Sequence, residues 1–74
     1  MERYKYLGAL GKGLCDALYY AKKGDMVLVS GLQPGDYVQL REEVGRFFPG
    51  RIKVRKTLLT FLGFGSECIL TKVA

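Results

Sequence analysis

The side chains best suited to chemistry in this chain are cations, and they are concentrated in one short segment. Residues 51–56 read Arg-Ile-Lys-Val-Arg-Lys, just after a Pro-Gly break. Since strand side chains change face at every residue, Arg51, Lys53 and Arg55 are predicted to share one face, about 6.5–7 Å apart. That spacing is near the phosphate spacing along a nucleic-acid strand. The pattern therefore indicates phosphate binding, with Lys56 extending the run; solvated cations on an open sheet face are the alternative.

A glycine-rich loop before a predicted helix is the second candidate anion site. Residues 8–13 read Gly-Ala-Leu-Gly-Lys-Gly. Glycines let backbone N–H groups converge on an anion, and the helix N-terminus adds positive potential. The loop lacks the spacing and the Ser or Thr of a Walker A motif, so nucleotide hydrolysis is not expected. We predict that Gly11, Lys12 and Gly13 hold a backbone phosphate; the alternative is a turn that needs glycine only for its geometry.

Catalytic and metal chemistry have little support in the sequence. The chain has no histidine, so it offers no imidazole base and no imidazole ligand. Ser30 and Ser66 lack an evident activating partner. Glu42 and Glu43 are predicted to lie on the solvated face of a helix. We expect no enzymatic activity, no metal, no cofactor and no small-molecule substrate.

Length and charge point to a single basic domain. The chain has 74 residues, a net charge of +5 and 49% hydrophobic residues. A domain this small hides only about 60% of its unfolded surface. So much apolar surface therefore predicts a homodimer or a partner subunit. The excess of cations predicts a polyanionic partner, and nucleic acid is favoured over membrane because the cations cluster on a strand.

The sequence predicts a cytoplasmic protein. No apolar segment follows the charged N-terminus at 1–5, and the uncharged stretch 57–66 is too short to span a bilayer. Cys15 and Cys68 form no framework, which indicates buried thiols in a reducing compartment. A disulfide between them is the alternative, mainly for a hyperthermophile.

Hydrophobic periodicity predicts alternating strands and helices in one domain, 1–74. The run Met26–Val29 is continuously apolar, which favours a central strand covered on both faces. The segment 36–48 carries a helical apolar stripe and a capping box from Asp36 to Gln39; a strand entering a small β-barrel is the alternative. In order, the predicted elements are a strand at 3–7, a helix whose last turn holds Lys22 and Lys23 before Gly24, a strand at 26–29, a helix at 36–48, a strand opened by Arg51 that runs on through 57–62, a turn at 63–66 and a strand at 67–73.

This α+β order (β-α-β-α-β-β, two layers) and three local features resemble the Alba family of small archaeal chromatin and RNA-binding proteins. The features are the loop carrying Lys12, the segment Arg46-Phe47-Phe48-Pro49 with its following strand, and the terminal hairpin. The resemblance implies a homodimer formed by the second helices and last strands, with Lys12 on the DNA backbone. The interface side chains that it implies are Val44, Phe47, Phe48, Leu59, Phe61 and Ile69.

The resemblance also implies that the terminal hairpins reach along the DNA grooves. In this chain the hairpin tip at 63–66 is apolar and uncharged, whereas the family's hairpin is polar and basic. Backbone contacts by 51–56 are therefore favoured over insertion of the hairpin into a groove. Arg46 and Lys5 extend the predicted patch. The sequence thus predicts a homodimer that binds DNA or RNA with little sequence specificity. The main alternative is an interaction module or accessory subunit that uses the apolar C-terminal hairpin; a small β-barrel with a ligand pocket is a third.

Overall fold

Two helices and four strands form the computed structural model, which describes residues 2–57 and 67–74. The predicted α+β class is confirmed, whereas the predictions for the segment 58–66, with its hairpin turn, Leu59 and Phe61, lie outside the described residues. The elements in chain order are β1 (Glu2–Lys5), α1 (Lys12–Tyr20), β2 (Met26–Ser30), α2 (Asp36–Phe47), β3 (Ile52–Lys56) and β4 (Cys68–Lys72).

The strands form one mixed sheet in the order β1-β2-β4-β3. β1 and β2 are parallel, while β4 is antiparallel to both β2 and β3. β2 is central, as predicted, but the prediction that both its faces are covered is wrong. Met26 is 42% exposed and Leu28 is only half-buried. The reason is that both helices pack on the same side, so β2 alternates between a buried and an open face.

The core lies between the helices and one face of the sheet. Each helix contributes an apolar stripe spaced by four residues, as expected for a helix packed on a sheet. The stripes are Leu14 and Leu18 from α1 and Leu40 and Val44 from α2, and they pack against Val27, Val29, Cys68 and Leu70 of the two central strands.

α1 ends at Tyr20, earlier than the helix expected to hold Lys22 and Lys23 in its last turn. The cation at its C-terminus comes instead from β4. The Lys72 side chain is buried, and its Nζ donates to Leu18 O at 2.8 Å and to Tyr19 O at 3.5 Å. These bonds satisfy carbonyl groups that have no partner within the helix.

The helical interpretation of the second apolar segment is confirmed by α2, but the capping box is wrong. Gly35, in the left-handed conformation (φ 89°), precedes the helix, and no side chain caps it. Asp36 is already helical, and its Oδ2 accepts a hydrogen bond from Gln33 N at 2.7 Å. The Gln39 side chain donates to Gly8 O and so ties α2 to the glycine-rich loop.

Candidate nucleic-acid interface

The face of the sheet that carries no helix has a cation at each edge. Residues paired across neighbouring strands share a face, and the register aligns Arg3 with Leu28, Leu28 with Ile69, and Ile69 with Arg55. This row therefore runs cation, aliphatic, aliphatic, cation across all four strands. Its two ends lie about 14 Å apart, which is three strand spacings.

Each flanking row has a cation at one edge only. Lys53 of β3 pairs with Thr71, which pairs with Met26, while Lys5 of β1 pairs with Ser30. We call this surface the open face; it comprises Arg3, Lys5, Met26, Leu28, Ser30, Lys53, Arg55, Ile69 and Thr71. Thr71 Oγ1 is buried and has no hydrogen-bond partner among the described residues.

Local contacts position the β1 cations. Gly31 has φ 76°, and a Cβ there would lie 3.1 Å from Lys5 Cγ, so the absent side chain leaves room for the Lys5 stem. Arg3 Nη2 lies 4.0 Å from Glu67 Oε2, both partly exposed. Across residues 2–57 and 67–74, the structure gives no ion pair for Lys5, Lys53 or Arg55.

The helical layer has the opposite balance. Its helices carry four acids, Asp16, Asp36, Glu42 and Glu43, and three cations, Lys12, Arg41 and Arg46. The open face carries four cations, Arg3, Lys5, Lys53 and Arg55, with Glu67 as the neighbouring acid. The helices thus carry one more acid than cations, whereas the open face carries four cations beside one acid.

Lys56 does not join the open-face cations. It pairs with Cys68, whose side chain is fully buried under the helices, so Lys56 projects to the helical side. Its Nζ lies 4.8 Å from the centre of the Tyr37 ring, and Arg41 Cζ lies 5.9 Å from the same ring. Both cations therefore interact with the start of α2.

Arg46 and Arg51 lie at the end of the sheet where β3 begins. Arg46 is exposed in the last turn of α2, and Arg51 is exposed in the turn that precedes β3. Arg51 is held by its backbone, which donates to Phe48 O at 3.1 Å and accepts from Val73 N at 2.8 Å. Arg51 thus directly precedes the strand that carries Lys53 and Arg55.

The glycine-rich loop already contacts an internal carboxylate. Leu10 N donates to Glu43 Oε2 at 3.4 Å. Gly11 precedes α1 as its N-cap without a side-chain cap, and Lys12 and Gly13 begin the helix, all exposed. α1 packs on the side of the sheet opposite Lys53 and Arg55, so the structure does not bring the two predicted anion sites together. The negative charge of Glu43 weakens the case for a phosphate in this loop.

Glu43 is not the solvated side chain that we expected. It is half-buried, and the Tyr6 hydroxyl donates to its Oε1 at 2.5 Å. Burial, and then the hydrogen bond to this carboxylate, raise the pKa of Tyr6 well above its usual value of 10.0. The contact links the residue that follows β1 to α2, a long-range pairing that a helical pattern does not reveal.

The side chains implied as a dimer interface are dispersed. Val44 and Phe48 are buried in the core of the single chain, at 2% and 8% exposure. Phe47 is 57% exposed at the end of α2, and Ile69 lies half-buried on the open face. Within one chain, only Phe47 and Ile69 of these four offer surface to a second copy.

A groove of about 640 Å³ lies between α1 and the helical side of β1. Its wall includes the carboxylates of Glu2, Asp16 and Asp25 and the rings of Tyr4 and Tyr20. This negative lining repels phosphates, so the groove is not where a polyanion would bind.

Cys15 and Cys68 are both free thiols, the first half-buried and the second buried. Burial raises the pKa of Cys68 to about 12, and burial together with nearby carboxylates raises the pKa of Cys15. Among the described residues, no group of three or more His, Cys, Asp or Glu side chains could hold a metal ion. No helix in that part of the chain has the length and apolar character needed to cross a membrane.

The open face contains one cation that the sequence reasoning missed, Arg3. Its alternation with Tyr4 and Lys5 was a usable signal, but only the sheet order places β1 at the edge opposite β3. Lys72 is not available to a ligand on either face, because its buried side chain is bonded to the C-terminus of α1. No protein-family model matches the chain, and neither do curated proteins or solved structures.

Proposed function

We propose that the protein binds DNA or RNA through the open face, mainly by phosphate contacts and with little sequence specificity. The carrying observation is the segregation of charge: four cations from the two edge strands lie on the face without helices, beside one acid. Polyanions are attracted to such a surface because neutralised phosphates release condensed counterions.

Backbone contact rather than base reading follows from the side chains between the cations. Leu28 and Ile69 have no hydrogen-bonding groups, and the described part of the open face has no aromatic ring on which a base could stack. Arg3 and Lys5 on one edge, and Lys53 and Arg55 on the other, can each reach a phosphate. An Alba-like arrangement remains part of this proposal, with the open face replacing the Lys12 loop as the main contact.

A salt series gives the first test. Neutralising about four phosphates gives a log–log slope near −3.6 for a duplex, so affinity should fall roughly a hundredfold between about 50 and 200 mM salt. Filter binding with one DNA duplex and one RNA of equal length measures this. A flat response to salt contradicts the proposal.

A pair of charge-matched variants tests the face. Lys53→Glu/Arg55→Glu reverses two cations on the open face, and Arg41→Glu/Lys56→Glu reverses two on the helical side. We expect the first variant to lose at least about a hundredfold in affinity and to reduce the salt slope by about 2. The second should change affinity much less, despite the same change in net charge. Equal losses would indicate a response to net charge alone.

The competing candidate is a protein-interaction module in which a second copy or another subunit covers the open face. The half-buried aliphatic side chains of Leu28 and Ile69 favour it, whereas the repulsion between facing cations opposes a symmetric pair. Light scattering across a salt series separates the two: a dimer that Ile69→Asp dissociates, with no nucleic-acid binding, supports the competing candidate.

A further inference from the structure

Exposed aromatic side chains gather at one end of the molecule. Of the seven large apolar side chains that stay exposed in the described part of the chain, Leu7 and Val38 lie where β1 and β2 end. The other five belong to the last turns of both helices, the start of β2 and the end of β4. They are Tyr19, Tyr20, Met26, Phe47 and Val73, and we call their surface the aromatic end.

Hydrogen bonds hold these segments together. Lys72 Nζ donates to Leu18 O at 2.8 Å and approaches Tyr19 O, which places the end of α1 over the end of β4. Val73 N donates to Arg51 O at 2.8 Å, and Arg51 N donates to Phe48 O, next to Phe47. The aromatic end is therefore a fixed part of the fold.

Four exposed cations belong to the same end of the molecule. Lys22, Lys23, Arg46 and Arg51 are all exposed there, while Asp25, the acid of the same link, accepts a hydrogen bond from Lys22 N. Two copies facing each other through this surface would bring eight cations together. An anionic occupant with flat apolar parts fits the combination better than a second copy.

We propose that the aromatic end binds unpaired nucleotides, with bases stacked on Tyr19 and Phe47 and phosphates on Arg46 and Arg51. Tyr19 is 66% exposed and Phe47 57% exposed, so most of each side chain is accessible to a ligand. Tyr20 makes an edge-on contact with Tyr19, with ring centres 5.0 Å apart, and lines the acidic groove, which keeps phosphates on the Arg46 side. From Arg51, the sugar-phosphate backbone of the bound strand can continue to Lys53 and Arg55 on the open face.

This inference rests on the proposed function and adds a preference to it. The open face treats single strands and duplexes alike as phosphate chains, but only a single strand offers bases to the rings. The protein should therefore bind a single strand of about a dozen nucleotides more tightly than a duplex of the same length at equal salt.

The test compares variants that keep apolar surface but remove the flat ring. Tyr19→Leu/Phe47→Leu should lose at least about tenfold in single-strand affinity and leave duplex affinity unchanged. Tyr19→Phe/Phe47→Tyr keeps both rings and should retain both affinities. Circular dichroism checks that all proteins are folded.

Several outcomes overturn the inference. Unchanged single-strand affinity in the leucine variant removes the stacking role, and so does a parallel loss of duplex binding. Tighter binding of wild type to anionic phospholipid vesicles than to either nucleic acid makes a membrane surface the occupant. If wild type binds neither nucleic acid, the proposed function fails as well. If the leucine variant loses single-strand affinity as expected but Lys53→Glu/Arg55→Glu keeps wild-type affinity for both nucleic acids, the open-face proposal alone fails.

Discussion

The two faces of the sheet use the same residue types for different purposes. On the helical side, Lys72 is buried and bonded to the end of α1, and the Tyr6 hydroxyl is bonded to Glu43. On the open face, Lys53 and Arg55 are exposed and have no ion-pair partner among the described residues. Charge that is paired or buried stabilises the fold, whereas charge left in solvent on one face is available to a ligand.

The largest expected effect is a difference in stability between aliphatic truncations on the two faces of the sheet. Leu70 is fully buried under the helices, while its neighbour Ile69 lies half-buried on the open face. We expect Leu70→Ala to cost about 2–5 kcal/mol of unfolding free energy and Ile69→Ala no more than about 1.5 kcal/mol. Urea denaturation measures both; an equal cost would mean that a partner covers the open face in solution.

A smaller effect separates two lysines. Lys72→Met removes the ammonium donor to Leu18 O but keeps the stem, and should cost about 2–3 kcal/mol of stability. Lys53→Met should leave stability nearly unchanged and weaken nucleic-acid binding. Urea denaturation and nucleic-acid binding, both measured on each variant, check that one lysine serves stability and the other binding. A binding loss confined to Lys72→Met would reverse our assignment of the faces.

The smallest expected effect concerns Tyr6. Tyr6→Phe leaves Glu43 without its phenol donor and should cost about 1–2 kcal/mol at neutral pH. Because folding raises the pKa of Tyr6, its contribution is complete below about pH 10 and is lost as the pH rises further, by up to about 1.4 kcal/mol per pH unit. The stability of wild type should therefore fall more steeply than that of Tyr6→Phe above pH 10. Parallel slopes would show that the phenol is not shielded.

Local patterns predicted much of the fold. Alternation in 51–56 placed Lys53 and Arg55 together, and the apolar stripe of 36–48 indicated a helix, which α2 confirms. The predicted end of α1 was wrong: the helix ends at Tyr20, before Lys22 and Lys23. The cation at its C-terminus is Lys72, which lies 52 positions beyond Tyr20, and no local pattern in the sequence indicates that contact.

Locating the candidate site required the order of the strands in the sheet as well as the alternation of residues along each strand. Each edge strand carries a modest pair of cations, Arg3 with Lys5 and Lys53 with Arg55. They share a face only because β2 and β4 lie between β1 and β3 in a register that aligns Arg3 with Arg55. Long-range strand pairing of this kind cannot be derived from local alternation, and the same is true of the Glu43 contact to the glycine-rich loop.

The most direct test of the open-face proposal is lysine protection on binding. The folded protein is acetylated under limiting conditions, with and without a saturating DNA duplex, and modification at each lysine is read by mass spectrometry. We predict that Lys5 and Lys53 become protected while Lys56, on the helical side, reacts as it does without DNA. Protection of Lys12 and Lys56, with Lys5 and Lys53 still reactive, would contradict the account.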